Sequence, residues 1–143
     1  MKETEKIEIM HFSQEGYLED GKNVYETGKK MIELADKVAD EGYDAVFLMG
    51  VGGTWDELMQ LEYLMNKFGD RDLEVYLIHA AEWNAMGHKR MTEKSVVITA
   101  SESGTTPEVL EAVKKMKGMG VRVYAMTKPE GPIGQAVGAE NCV

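Results

Sequence analysis

The chain has little cysteine, a deficit of positive charge and no long apolar run. Its one cysteine, Cys142, can form no disulfide within the chain, and no second thiol is present to build a zinc site. The 16 Lys and Arg are outnumbered by 25 Asp and Glu, and the net charge is −9. Nucleic acids and anionic membranes require a basic face, so neither is expected as a partner. A small anionic ligand is compatible with this charge, because a few oriented backbone N–H groups can hold an anion.

Targeting and membrane segments are also missing. No stretch approaches the ~18 apolar residues that a membrane span needs. The first ten residues, MKETEKIEIM, lack the apolar core of a secretory signal. We therefore expect a cytoplasmic protein. The 143 residues suit a single domain with a core of its own, residues 1–143.

What is present is an alternation of two kinds of apolar segment. Residues 1–12 form a polar lead-in with a short IEIM patch, and residues 15–41 have helical spacing that ends at Gly42. Amphipathic helices are predicted at 54–68 and 107–120, and strands at 44–50, 73–79, 95–100, 121–127 and 139–143. Strands that are apolar on both faces are typical of a parallel sheet covered by helices. The sequence predicts an α/β fold, a three-layer α/β/α doubly wound sandwich with a five-stranded parallel sheet, as in flavodoxin.

Two loops of this predicted sheet could hold a ligand, because ligands bind beyond the carboxyl ends of the strands. One is MGVGGTWDE (49–57), where three glycines precede a helix. The other is SESGTTPE (101–108), which follows the apolar run SVVITA. Pro107 suits the first position of a helix and Thr106 suits its N-cap. Gly104 allows a close approach of the backbone or a positive φ.

The second loop is predicted to bind an anion, most naturally a phosphate. A helix N-terminus offers free N–H groups and the positive end of a dipole. Hydroxyl donors are supplied by Ser101, Ser103, Thr105 and Thr106. The ordinary alternative is that these residues only form a turn and a cap, but the second glycine-rich loop favours a ligand. No lysine follows these glycines as it would in a P-loop, and their spacing does not match the GxGxxG fingerprint. No nucleotide or nicotinamide cofactor is therefore predicted.

The same landmarks resemble a known family. FLMGVGGTWDE, HAAEW, SVVITASESGTTPEVLEAVKKMKGMG and VYAMTKPEGPIGQ are similar, in order, to the landmarks of sugar isomerase (SIS) domains, from about residue 12 onward. The S-x-S-G-x-T pattern at 101–106 is the most specific of these pieces. The Pro-Glu that follows and the lead-in YLEDGKNVYE are closer to fructosamine-6-phosphate deglycases than to glucosamine-6-phosphate synthase.

The resemblance implies a five-stranded parallel sheet that binds a phosphorylated sugar or a sugar-amine conjugate, without metal or cofactor. The binding residues that it implies are Gly53, Thr54, Ser101, Glu102, Ser103 and Thr106. Glu102 departs from the family, in which this position usually carries an uncharged or histidine-like side chain. A carboxylate there would repel a phosphate unless it points away or meets a sugar hydroxyl.

No catalytic residue is assigned. Isomerisation needs a base near the carbon that loses its proton, and Glu82, in HAAEW, matches a glutamate of the family and is a candidate. Its alternative role is to stabilise the first turn of a helix. His79 and His88 lie nine positions apart with no obvious third ligand, so no metal site is predicted.

Domain pairing is a further implication of the resemblance. The deglycases and the synthase carry two SIS domains in tandem, and this chain resembles the first, with a helical lead-in at about 1–41. We expect it to be the first half of a two-domain protein and to self-associate as a homodimer or higher homo-oligomer. Helices 15–41 and 54–68 are the candidate contributors, and the sequence does not choose between them. Three functions stay open: part of a phosphosugar isomerase or deglycase acting on a fructosamine-6-phosphate-like substrate, a regulatory module that senses a sugar phosphate without turnover, and a fragment without activity of its own.

Overall fold

The computed structural model describes residues 13–143, so the predicted lead-in at 1–12 lies outside the described residues. One long helix precedes an alternation of strands and helices. The elements are α1 (Gln14–Glu41), β1 (Val46–Gly50), α2 (Gly53–Phe68), β2 (Val75–His79), α3 (Ala80–Met86), β3 (Val96–Ser101), α4 (Pro107–Gly118), β4 (Arg122–Thr127), α5 (Pro132–Val137) and a 3-10 turn (Ala139–Asn141). Among residues 13–143, none of the helices combines the length and the apolar character that crossing a bilayer requires.

The strands form one parallel sheet in the order β2-β1-β3-β4. The chain moves outward from β1 to β2 and then crosses back over β1 to reach β3. The strand order therefore reverses between β1 and β3, where Met49 pairs with Thr99. Doubly wound sheets bind their ligands at such a reversal. The predicted doubly wound α/β sandwich is confirmed.

The prediction of a fifth strand at 139–143 is wrong. This segment begins as a 3-10 turn after Gly138, whose φ is 104°, and Cys142 forms only a single bridge with Ala125. Val143 then exchanges two backbone hydrogen bonds with β4, donating to the carbonyl of Ala125 and accepting from the N–H of Thr127. Two such bonds are too few for a strand. Cys142 is buried, and burial raises the pKa of its thiol.

The two faces of the sheet bury different numbers of apolar residues. On one face, α3, α4 and α5 enclose a cluster of eighteen buried apolar residues that includes Phe47 and Met116. On the other face, α2 covers a cluster of five that includes Val46 and Leu48. Helix α1 borders this second face but contributes no buried residue. The core therefore lies mainly on the side of α4.

Candidate functional site

The two predicted loops lie at the strand-order reversal. The β1–α2 loop follows Gly50 and the β3–α4 loop follows Ser101, and their strands are direct neighbours in the sheet. A buried hydrogen bond from the Thr99 hydroxyl to the Met49 carbonyl, 2.8 Å long, joins the two strands just before the loops begin. We call residues 51–54 and 101–106 together the cradle.

The first loop is shaped by its glycines. A Cβ on Gly50 would lie 2.7 Å from the backbone nitrogen of Trp55, so no larger residue fits this turn. The hydroxyl of Thr54 closes the turn by accepting from the N–H of Val51 at 3.2 Å and donating to its carbonyl at 3.1 Å. Helix α2 starts at Gly53 without a side-chain cap. Among the described residues, the N–H groups of Gly53 and Thr54 therefore have no acceptor.

The second loop is anchored to neighbouring elements through the backbone carbonyls of Gly104 and Ser101. Gly104 has φ +67°, and the N–H of Ile133 donates to its carbonyl at 3.0 Å. Ser101 is 3% exposed, and its carbonyl accepts from the Thr127 hydroxyl at 2.7 Å. These contacts tie the loop to the end of β4 and the start of α5. The backbone of the second loop is therefore held by two neighbouring elements.

The hydroxyl of Thr106 has an unexpected partner. Thr106 occupies the N-cap position of α4, as predicted, but it makes no capping hydrogen bond. Its Oγ1 lies instead 3.0 Å from Oγ of Ser101. Pro107 has no N–H, and within the described part of the chain the N–H groups of Glu108 and Val109 have no acceptor. The first turn of α4 therefore keeps its donors and the positive end of its dipole available.

Ser103 presents a further donor. Its Oγ accepts from both the N–H and the hydroxyl of Thr105, at 3.2 and 3.0 Å. Since these bonds use the lone pairs of the oxygen, the hydroxyl proton of Ser103 is left to donate. In the Ser101–Thr106 pair one proton is shared and the other is left in the same way. The cradle thus offers hydroxyl and N–H donors without any lysine or arginine of its own.

The two candidate carboxylates are placed differently. Glu102 lies inside the second loop and is exposed, without a hydrogen bond or ion pair among the described residues. Glu82 is exposed in the first turn of α3, after β2, and no hydrogen bond joins it to either loop in residues 13–143. Glu102 therefore lies in the cradle, whereas Glu82 follows β2, the strand next to β1.

Two further residues border the first loop. His79 ends β2 opposite Gly50, and its ring centroid lies 6.5 Å from that of Trp55. His88 is separate from this pair, because its ring packs against Phe47 and Tyr76 at 5.0 and 4.8 Å. In the part of the chain that the structure describes, no group of three His, Cys, Asp or Glu residues could hold a metal.

Sequence reasoning overlooked Thr127. Its hydroxyl supports the carbonyl of Ser101, which positions the whole second loop. The available signal was its place as the last residue of VRVYAMT, since the ends of neighbouring parallel strands meet at the same edge. A hydroxyl there is within reach of the preceding strand's loop.

Comparison with known proteins gives the following relatives. No protein-family model matches the chain. It is 33% identical to the fructosamine deglycase of Bacillus subtilis over an aligned segment of 93 residues. This segment covers 64% of this chain and 28% of that protein. It is 24% identical over 139 residues to the isomerizing glutamine–fructose-6-phosphate aminotransferase of Pyrococcus horikoshii, covering 96% of this chain and 23% of that protein. The chain thus spans about a quarter of the length of these curated relatives.

A solved structure agrees with the sequence relatives. A crystal structure from Bacillus subtilis, of a protein assigned as a phosphosugar isomerase, aligns with a TM-score of 0.63 and 32% identity over 66% of this chain and 29% of that chain. Fold and sequence therefore lead to the same group of proteins, and the resemblance seen in the sequence is confirmed. The chain is a homologue of fructosamine deglycase and of the isomerizing aminotransferase, and it has the sugar isomerase (SIS) fold of phosphosugar isomerases.

Proposed function

We propose that the cradle binds the phosphate group of a phosphorylated sugar. The observation that carries this proposal is the diversion of the Thr106 hydroxyl to Ser101, which leaves the N–H groups of Glu108 and Val109 uncapped. Hydroxyl donors of Ser103 and of the Ser101–Thr106 pair lie on the same loop. Backbone N–H groups at a helix N-terminus bind anions well. A site of this kind suits a chain with a net charge of −9, because it needs no cationic side chain.

The proposed substrate is fructosamine-6-phosphate-like, and the proposed reaction is that of a sugar-phosphate isomerase or deglycase. Support comes from the names of the two curated relatives, a fructosamine deglycase and a fructose-6-phosphate aminotransferase. Proton transfer would need a base near the reacting carbon, and Glu82 is the candidate in this chain. Because the chain spans about a quarter of those relatives, we propose that it corresponds to the first of two SIS domains. Other catalytic groups would then come from a second domain or a second subunit.

The alternative proposal is a module that senses a sugar phosphate without turnover. One observation favours it: Glu82 is exposed, and no contact joins it to the cradle among residues 13–143. A sensor needs only the donors of the cradle. The two proposals share the ligand and differ in catalysis, so binding and turnover have to be measured separately.

The test is a thermal-shift titration with fructose 6-phosphate and glucose 6-phosphate, alongside fructose and glucose. A ligand that binds only the folded state at 100 times its Kd adds about 2.7 kcal/mol to the free energy of unfolding. We expect stabilisation by the phosphorylated sugars alone. Ser103→Ala should weaken it by removing a donor and the turn with Thr105, at a cost of about 1 kcal/mol. Thr27→Ala, which removes a hydroxyl from α1, should leave binding unchanged.

Two outcomes would contradict the phosphate site, and two others distinguish the sensor from the deglycase. Absence of a shift with either phosphorylated sugar would contradict the phosphate site. An equal shift with the unphosphorylated sugars would show that the phosphate is not what the cradle recognises. Stabilisation without release of amine from a fructosamine 6-phosphate would favour the sensor, and release of amine would favour the deglycase.

A further inference from the structure

Glu102 is the one charged residue of the cradle, residues 51–54 and 101–106. It lies between Ser101 and Ser103, the two serines that belong to the proposed phosphate site. The residue is exposed, and among residues 13–143 its carboxylate accepts no hydrogen bond and forms no ion pair. All of the lone pairs of this carboxylate are therefore available to a ligand.

The surroundings of Glu102 supply little compensating positive charge. The first turns of α2, α3 and α4 carry acidic residues, namely Asp56, Glu82 and Glu108. The loop between β4 and α5, which adjoins the second loop, has one residue of each sign, Lys128 and Glu130. Within the described part of the chain Lys128 forms no ion pair with Glu102. A cation that pairs with Glu102 has to come with the ligand.

A carboxylate at this position weakens the binding of a plain sugar phosphate. At pH 7 a phosphate monoester carries between one and two negative charges, because its second pKa is about 6. At a separation of ~8 Å in water, the repulsion between a carboxylate and a dianion lowers affinity by about sixfold at low ionic strength, and by more where the loop excludes water. A ligand with only a phosphate and hydroxyl groups binds against this repulsion.

We propose that Glu102 selects phosphorylated sugars that carry a protonated amine over those that carry only hydroxyl groups. This inference rests on the phosphate site proposed above. An alkylamine is protonated at pH 7, so an amine-bearing sugar phosphate has charges of both signs. The helix donors hold its phosphate, and the carboxylate of Glu102 accepts from its ammonium group. Hydrogen bonds between two charged groups are about twice as strong as those between neutral groups.

The selection has an attractive and a repulsive part. Specificity is a difference between two affinities, and repulsion of the competitor contributes to it as much as attraction of the preferred ligand. Glu102 does both, because the same negative charge attracts the ammonium group of one ligand and repels the phosphate of the other. A sugar hydroxyl also donates a hydrogen bond to a carboxylate, but it leaves the negative charge in place.

The test compares two ligands that differ in one group. Fructose 6-phosphate has a hydroxyl at its first carbon, where fructosamine 6-phosphate has an amine. Isothermal titration calorimetry at pH 7 and low ionic strength gives the Kd of each, and we expect the wild type to prefer the amine by about tenfold. Glu102→Gln keeps the size of the side chain and removes its charge. It should weaken the binding of fructosamine 6-phosphate, tighten that of fructose 6-phosphate and bring the ratio of the two Kd values close to one.

Glu93→Gln is the matched control. Glu93 precedes β3, whereas Glu102 follows it, and it too is exposed and forms no ion pair among residues 13–143. A strand of six residues spans ~20 Å, so this variant removes the same charge at the far edge of the sheet. It should leave the ratio unchanged at 0.15 M salt, where charges more than ~8 Å apart are largely screened. Added salt should reduce the preference of the wild type and have little effect on that of Glu102→Gln.

The outcomes separate this inference from the phosphate site on which it rests. If neither sugar phosphate binds to the wild type or to Glu102→Gln, the phosphate site is overturned and the selection with it. If both bind and Glu102→Gln leaves the ratio of their Kd values as it was, only the role of Glu102 is overturned. Equal weakening of both ligands would show a bond to a sugar hydroxyl, and equal tightening would show a carboxylate that only repels phosphate. Either result would overturn selection for the amine and leave the phosphate site in place.

Discussion

Gly104→Ala is expected to damage both the stability of the chain and its binding of a sugar phosphate. Gly104 has φ +67°, where an L-residue with a Cβ costs about 1–2 kcal/mol. The new Cβ would also lie 3.2 Å from Oγ1 of Thr127. That hydroxyl has to move by a few tenths of an ångström, and it is the donor that holds the Ser101 carbonyl at 2.7 Å. Loss of this bond costs about 1 kcal/mol more.

The expected total is about 2–3 kcal/mol of unfolding free energy, combining the strain with the lost hydrogen bond. For a domain of this size that corresponds to a fall in Tm of roughly 8–12 °C. Urea denaturation followed by circular dichroism, at one fixed protein concentration, measures it. Gly120→Ala is the control, because Gly120 also has positive φ but its Cβ would meet only Glu93 Cβ at 3.7 Å. The control should show the strain alone and leave sugar-phosphate binding unchanged.

A double-mutant cycle isolates the contact with Thr127. Thr127→Val removes the same hydroxyl that Gly104→Ala displaces, so the two losses should overlap by about 1 kcal/mol. Additive losses would show that Gly104 does not act through Thr127. A Gly104→Ala variant as stable as Gly120→Ala, with unchanged affinity for the sugar phosphate, would refute the reasoning about the second loop altogether.

Two further predictions concern polar groups of the fold. Burial raises the pKa of Asp44, but hydrogen bonds from the hydroxyls of Thr92 and Ser95 outweigh burial and hold that pKa below its ordinary value. The stability that Asp44 contributes is therefore complete above its unfolded pKa and is lost as pH falls through its folded pKa. In the free energy of unfolding measured against pH, Asp44→Asn should reduce the loss of stability over this acidic range. Thr99→Val should cost about 0.5–1.5 kcal/mol in urea denaturation, because it removes the buried hydroxyl that donates to the Met49 carbonyl; unchanged stability would contradict that role.

The strands could be predicted because burial on both faces leaves an unambiguous pattern. VFLMG in β1 is buried at every position, so its sequence is apolar throughout. Short elements gave no such signal. Helix α5 has six residues, fewer than two turns, and Pro132 at its start was the only marker. At 139–143 the apolar residues indicated a strand, but residues Ala139–Asn141 form a 3-10 turn after Gly138, and only Cys142 and Val143 pair with β4.

The residues of the cradle could be named from sequence, whereas their bonding could not. N-cap preference describes a position, and Thr106 is at that position. Whether its hydroxyl caps the helix depends on a competing hydrogen-bond partner, and that partner is the hydroxyl of Ser101, buried at the end of β3. Only the three-dimensional arrangement of the strand end and the helix start shows which partner is used.

The glycines of α1 show how a local rule can mislead. Gly21 and Gly28 weaken the expectation of a helix, since each costs about 1 kcal/mol relative to alanine. The structure nevertheless has one unbroken helix from Gln14 to Glu41, started by a hydrogen bond of 2.9 Å from the Gly16 N–H to Ser13 Oγ. A glycine that recurs every seven residues keeps to one face. Its cost to the helix is offset only if that face is packed against something.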